Sequence, residues 1–233
     1  EDMNVSDSAV ILFGNGRASN HFKNLDTFSK EDSMRILGIK NNHDIYILLD
    51  LQSPSAGYNS VEEIIHLSKT LVEFVDNKKN IALIIKPYPS INFSWLSNLI
   101  RHRSENIYLL DKKQLPDHAL NVADVIFCKF STMGVESMIY DTQVVSILLD
   151  KEKTFKVFGN SAEYIYEKEE LKSFLKNFFS SQEIFIKWKN SYKEKRNKFI
   201  QTYYPKLHKS SDEIIVETLE KKLNERFLNE KNN

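Results

Sequence analysis

A single cysteine, Cys128, rules out an internal disulfide framework and any cysteine-rich zinc site. It sits inside an apolar run and reads as a small packed hydrophobe. Net charge is missing too: 32 basic residues face 32 acidic ones, so nothing in the chain as a whole draws it to nucleic acid or acidic lipid, and only a local basic patch stays open. No apolar run approaches the length of a membrane span, and the polar, acidic start Glu1 to Ser8 is not a secretory signal. His21, His43, His66, His102, His118 and His208 show no metal-ligand spacing, so each reads as a surface residue. There is no Gly-x-Ser-x-Gly elbow, no Walker loop and no Gly-x-Gly-x-x-Gly fingerprint, which sets hydrolase, ATPase and dehydrogenase readings aside. The cytoplasm is the expected compartment, and neither a metal nor a cofactor is expected.

What is present is a globular chain with 41% hydrophobic residues and a repeating alternation of short apolar runs with helical patterns. Val10 to Phe13 reads as a β-prone lead-in stopped by the turn Gly14-Asn15-Gly16-Arg17. A polar segment follows, with a short helix from Lys30 to Leu37 ended by Gly38. Strands are then predicted at Ile45 to Leu49, Ile81 to Ile85, Ile107 to Leu110, Val125 to Phe127 and Val144 to Leu149. Between them lies a helix opened by Ser60 with Glu63 at the capping-box position, whose inward face reads Val61, Ile64, Ile65, Ser68, Leu71, Val72 and Val75. Further helices fall at about Phe93 to Arg101, Leu115 to Val122 and Thr132 to Tyr140.

Near-unbroken apolar strands spaced by helices imply an α/β class, with a Rossmann-like parallel sheet covered by helices on both faces. After Asp150 a loop with a short extended piece, Lys156 to Tyr166, leads to C-terminal helices at about Lys168 to Phe179, Gln182 to Phe199 and Ser211 to Asn229. The organisation expected is a lead-in strand, turn and helix over 1–42, a Rossmann-like nucleotide-binding domain over 43–180 and a helical tail over 181–233.

Right-handed crossovers place all strand C-terminal ends on one edge, where open α/β folds bind ligands. Three signals converge there. The stretch Ala123 to Glu136 is a strand that turns through Ser131 and Thr132 into a helix, aiming unpaired backbone N–H groups and a positive dipole end beyond the strand. Ser131 and Thr132 can add hydroxyl donors to a phosphate, Gly134 can let a ligand approach the backbone, and Glu136 can accept from ribose hydroxyls. The plainer reading makes Ser131 an ordinary N-cap, Gly134 a packing glycine and Glu136 a solvated first-turn acid. At Lys86-Pro87-Tyr88-Pro89 two prolines stiffen a strand end that carries a lysine and a tyrosine, suited to neutralising and hydrogen-bonding phosphate; the plainer reading is a strand stop with an exposed lysine. Arg17 can reach a ligand phosphate or stay solvated. The loop after Asp50 completes the edge.

In order, these motifs are Gly-x-x-Arg at Gly14 to Arg17, Leu-Gly-Ile at Leu37 to Ile39, Lys-Pro-x-Pro at Lys86, Ile-Tyr-Leu-Leu-Asp at Ile107 to Asp111, Ala-Asp-Val-Ile at Ala123, and Ser-Thr-x-Gly-x-Glu at Ser131. Together they resemble the C-terminal, donor-binding half of GT-B glycosyltransferases of bacterial surface polysaccharide and capsule synthesis. The nearest groups are CDP-glycerol glycerophosphotransferases and bacterial sialyl and Kdo transferases.

The resemblance implies a metal-independent transferase whose donor is a nucleotide-activated sugar or a CDP-glycerol-like molecule. It implies a polysaccharide or lipid-linked glycan acceptor, an N-terminal half of the same enzyme, and a place in the cytoplasm at the inner face of the membrane. Lys86 and Tyr88 fall on catalytic positions, and Arg17, Pro89, Ser131, Thr132, Gly134 and Glu136 on donor-binding ones. The family's turn histidine is Tyr88 here, and a phenol with a reference pKa of about 10 does not share a histidine's proton-transfer role near neutral pH. The chain starts without methionine and carries one Rossmann-like half, so it is expected to be a piece of a longer enzyme. Two alternatives stay open, a UDP-sugar 2-epimerase of the same fold and a non-catalytic nucleotide-sugar-binding or interaction module.

Overall fold

The computed structural model describes residues 16–40, 43–53, 60–89, 94–114, 116–149, 156–204 and 211–231. The lead-in strand at 10–13, the start of the turn at 14–15 and Pro205 lie outside them. Six strands form one parallel sheet in the order β3-β2-β1-β4-β5-β6. They are β1 Ile45–Leu51, β2 Ile81–Pro87, β3 Ile107–Leu109, β4 Val125–Cys128, β5 Gln143–Ile147 and β6 Ala162–Ile165. Strands β1 and β2 pair in register from Ile45 with Ile81 to Leu51 with Pro87, and β1 pairs β4 on its other side.

Every position of β1 is buried, as expected for a strand covered on both faces. Alternate side chains divide between two cores. Ile45, Ile47, Leu49 and Leu51 pack with α3 (Val61–Val75), α7 (Lys168–Phe178) and α8 (Gln182–Ser191) through Leu71, Phe174 and Trp188. Tyr46 and Leu48 pack on the other face with α1 (Gly16–Thr27), α2 (Lys30–Leu37), α5 (Asp117–Val122) and α6 (Thr132–Ile139) through Ala18, Met34, Leu120 and Met138. The remaining helices are α4 (Ser94–Ile100), α9 (Lys193–Tyr203) and α10 (Ser211–Lys231). The fold class is thus the Rossmann-like one read from the sequence.

Local signals explain most boundaries. Ser29 and Asp32 form a capping box on α2, which Gly38 ends with φ 68°, and Ser60 and Glu63 form the predicted box on α3. Four expectations are corrected. Gly16 and Arg17 open helix α1 rather than closing a turn; a helix that buries almost no apolar side chain has no stripe to reveal it. The extended piece near 156–166 is a true edge strand, β6, parallel to β5. The helix expected from Gln182 to Phe199 is two helices meeting at Tyr192, with buried Arg196 reaching back across the break to the Lys189 carbonyl at 2.9 Å and on to Gln143 and Asp141 of the sheet side. On α3, Leu67 joins the buried face, while Val61 is 52% exposed and Ile65 only half-buried.

Candidate functional site

Strand order reverses at β1, which sends β2 and β3 to one side and β4, β5 and β6 to the other. Beyond the C-terminal ends of β1 and β4 this leaves a crevice, the usual ligand position in such sheets. Here it is an open cleft of about 1030 Å³. Of the eight residues singled out from the sequence, Arg17, Lys86, Tyr88, Pro89, Ser131 and Thr132 line it, brought together from α1, β2 and the start of α6. Lys112 and Lys113 join them from the segment after β3, so the rim carries several cations. Among the described residues no cluster of His, Cys, Asp or Glu suits a metal ion, and no helix is long and apolar enough to cross a membrane.

Each side chain is held in a specific way. Ser131 caps α6, its hydroxyl accepting the Met133 N–H at 3.1 Å, and Thr132 stands exposed as the first helical residue. Tyr88 is 46% exposed, and its backbone N–H donates to the Leu51 carbonyl at 3.0 Å, carrying the pairing of β1 and β2 one residue past the strand ends. Lys86 is not the exposed strand-end residue of the plainer reading: it is 5% exposed. Its ammonium donates to the carbonyls of Asp111 and Lys112 at 3.2 and 2.9 Å, so it ties β2 to the loop that presents Lys112 and Lys113. Burial lowers its pKa, against the charges of Asp111 and Asp50.

Gly134 and Glu136 do not line the cleft. A Cβ on Gly134 would lie 2.8 Å from the Phe158 ring and 2.9 Å from the Cys128 sulfur, so the close approach that this glycine permits is that of Phe158. Glu136 is no solvated acid. It is 3% exposed and ion-paired to Arg17 at 3.0 Å, which anchors the arginine at the cleft rim from behind.

Glu136 also faces His21 Nε2 at 3.4 Å, while His21 Nδ1 lies 2.9 Å from Asp117, itself bonded by Asn24 at 3.0 Å. His21, read as a surface residue, is therefore 4% exposed and clamped between two carboxylates. Burial would lower its pKa, but hydrogen bonds to Asp117 and Glu136 and their charges raise it to about 9, so it is an imidazolium at neutral pH.

Sequence reasoning also passed over Asp50 and Gln52. Asp50 interrupts the apolar run of β1 at its C-terminal end just as Lys86 does in β2, and the two are register partners; that shared offset was the available signal. Asp50 is 7% exposed, its Oδ2 is sealed without a hydrogen-bond partner, and its pKa is raised to about 6, first by burial and then by Glu136, against Ser131 and Lys86. Gln52 bridges the reversal point: its carbonyl accepts the Lys129 N–H at 2.9 Å and its amide donates to the Phe130 carbonyl at 3.1 Å, which fixes the turn before α6. The Lys129 ammonium points away and pairs with Glu63 of α3 at 2.9 Å, so it does not add to the cationic rim.

No protein-family model and no curated protein sequence matches the chain. Solved structures do. UDP-GlcNAc 2-epimerase from Neisseria meningitidis bound to UDP-GlcNAc aligns at TM-score 0.62 and 17% identity, over 93% of this chain and 56% of that one. The wall teichoic acid polymerase TagF with CDPG aligns at TM-score 0.63 and 13% identity, over 96% and 52%. WaaG, a glycosyltransferase involved in lipopolysaccharide biosynthesis, aligns at TM-score 0.50 and 16% identity, over 73% and 47%. The chain spans about half the length of the structures it matches. Its fold is that of one half of the GT-B architecture.

Proposed function

We propose that this chain is the donor-binding half of a GT-B transferase, holding a nucleotide-activated sugar or a CDP-glycerol-like donor for transfer to a surface polysaccharide or lipid-linked glycan acceptor. The observation that carries the reading is the cleft itself, set where strand order reverses and lined by Arg17, Lys112 and Lys113 together with Ser131 and Thr132 at the N-terminus of α6. A donor's phosphates, placed there, meet fixed cations and backbone N–H groups that need no metal to offset the charge that develops as the nucleotide departs. Arg17 is preset by Glu136, and Lys86 holds the loop that carries the two lysines. The acceptor, and the N-terminal half that would deliver it, belong to the same proposal, as does a place at the cytoplasmic face of the membrane.

The test is calorimetric titration of this chain with CMP, CDP, UDP and GDP, repeated on Arg17→Ala and Ser131→Ala. One nucleotide is expected to bind, and loss of the Arg17 guanidinium, a charged hydrogen-bonding group, is expected to weaken it about tenfold or more. Failure of all four nucleotides to bind would overturn the reading. The structural likeness to the UDP-GlcNAc-bound epimerase is as close as that to TagF, so a 2-epimerase remains the second reading. Exclusive binding of UDP, with epimerisation of UDP-GlcNAc by the full-length protein, would favour it.

A further inference from the structure

The cleft contains one group that is a poor match for the anion it is read to bind. Asp50 lies at the C-terminal end of the central strand, buried, among the residues that line the same cleft as Arg17, Lys86 and Ser131. Its Oδ2 is sealed from solvent and has no hydrogen-bond partner among the described residues. Lys86, its register partner, does not answer it, because the ammonium is directed to the Asp111 and Lys112 carbonyls. The groups that face Asp50 are Lys86 from β2, Ser131 and Glu136 from the start of α6, and Cys128 from β4, which sets one cation and the hydrogen bond of the Ser131 hydroxyl against burial and one further anion.

A buried carboxylate with an unanswered oxygen is already costly as an anion. A phosphate entering the cleft adds a second negative charge in a medium of reduced dielectric, where like charges repel strongly. The neutral acid removes that repulsion. We propose that Asp50 meets the donor's phosphate as the neutral acid, its carboxylate taking up one proton from solvent as the ligand binds. No bond of the donor is made or broken in this step. The inference rests on the donor-half reading of the cleft. Burial and Glu136 already raise the carboxyl's pKa to about 6 in the empty cleft, and the charge of the phosphate must supply the further rise of about two to three units that full uptake at about pH 8 requires.

The experiment is calorimetric binding of UDP-GlcNAc and of CDP-glycerol to the wild-type chain and to Asp50→Asn, from about pH 6 to about pH 8, in pairs of buffers with different ionisation enthalpies. Both phosphates of each ligand are esterified or bridged and carry no proton that titrates in this range, so proton uptake reports the protein. In the wild type, uptake is expected to rise towards one proton per ligand at about pH 8, and affinity to fall by up to about tenfold per pH unit above neutrality. Asp50→Asn, close to isosteric and permanently neutral, is expected to lose that uptake and slope and to bind more tightly than the wild type at about pH 8.

Binding without proton uptake in the wild type overturns the inference and leaves the donor reading standing. So does equal uptake in the variant, or a variant that binds more weakly at every pH, which would make Asp50 an acceptor for a ligand hydroxyl. Absence of binding by either ligand to either protein overturns the inference together with the donor reading. The wild-type uptake measurement stands by itself should the variant fold poorly.

Discussion

Helices α3 and α1 cover opposite faces of the same sheet, and they are held there by different physics. The buried face of α3 is Ile64, Leu67, Leu71, Val72 and Val75, packed against alternate residues of β1 and β2. Beneath α1, among the described residues, only Ala18 and His21 are fully buried, with Phe22 partly buried beside them, and the contact with α5 and α6 is completed by the imidazolium of His21 between Asp117 and Glu136, with Arg17 closing one end. An apolar interface is non-directional and insensitive to pH. An ionic one depends on every member being present and charged. The helix that lacks an apolar stripe is also the one that brings an arginine to the ligand cleft, so orientation of that side chain rests on the more fragile interface.

The sharpest way to break the comparison is His21→Ala. Removing the imidazolium leaves the buried Glu136 and the half-buried Asp117 without their shared cation, and because Asp117 is partly exposed and Glu136 keeps Arg17, the cost is expected toward the lower end of the about 3 to 5 kcal/mol seen when a buried pair is broken. The wild type carries a pH signature of the same cluster. Because the folded pKa of His21, about 9, lies above its unfolded value near 6.5, its stabilisation is complete below about pH 6.5 and is lost as pH rises through about 9. Denaturant titrations at several pH values are expected to show wild-type stability declining across that window and the variant lacking that component of the decline. Parallel profiles would mean that His21 is not charged in the fold. The same variant frees Glu136 and, through it, Arg17, so nucleotide affinity is expected to fall along with stability.

Leu71→Ala is the matching change under α3. Its side chain is fully buried in the apolar core, and truncation is expected to cost about 2 to 5 kcal/mol by lost transfer energy and cavity formation. Here the loss should be the same at every pH across the window in which His21 titrates. A pH-dependent loss at Leu71 would show that the two faces are coupled rather than independent.

Gly134→Ala should have a smaller effect, about 1 to 3 kcal/mol, because the added methyl collides with the Phe158 ring and the Cys128 sulfur, both fully enclosed. Thermal unfolding measures it. Adding Phe158→Leu should recover part of the loss if the collision is its cause, and no recovery would place the cost elsewhere.

The same contrast explains what could be read from the chain before its structure. Five of the six strands, the Gly38 end of α2, the capping box at Ser60 and the turn at Ser131 follow from apolar runs and local hydrogen-bonding chemistry, and all carry a signal in a handful of neighbouring residues. The sixth strand, β6 (Ala162–Ile165), is an edge strand in which Glu163 interrupts the apolar run that marks the equally short β3 and β4. Helix α1 stayed hidden because its buried side is polar, and its partners Asp117 and Glu136 lie roughly a hundred residues away.

The cleft was legible as a set of strand ends, which brought Lys86, Tyr88, Ser131 and Thr132 to one edge, and Arg17 arrived there by a helix rather than by a turn. What remained out of reach was the division of labour. That Lys86 braces a loop, that Glu136 holds Arg17 and that Asp50 is buried without a partner for one oxygen are long-range contacts that no local spacing encodes.

Val61 sets the lower bound of the comparison. On periodicity it belongs with the inward face of α3, where a charged replacement would place an unpaired carboxylate in the core and unfold the domain. In the fold it is the first residue of the helix and half open to water. Val61→Glu at this position loses a little apolar contact and gains a favourable interaction between the carboxylate and the positive end of the helix dipole, a term of about 0.3 to 1 kcal/mol. The two effects oppose each other, so the variant's midpoint in urea is expected to lie within about 0.5 kcal/mol of the wild type. A loss of several kcal/mol would mean that the helix sits rotated about its axis from the position described, with the predicted face inward after all.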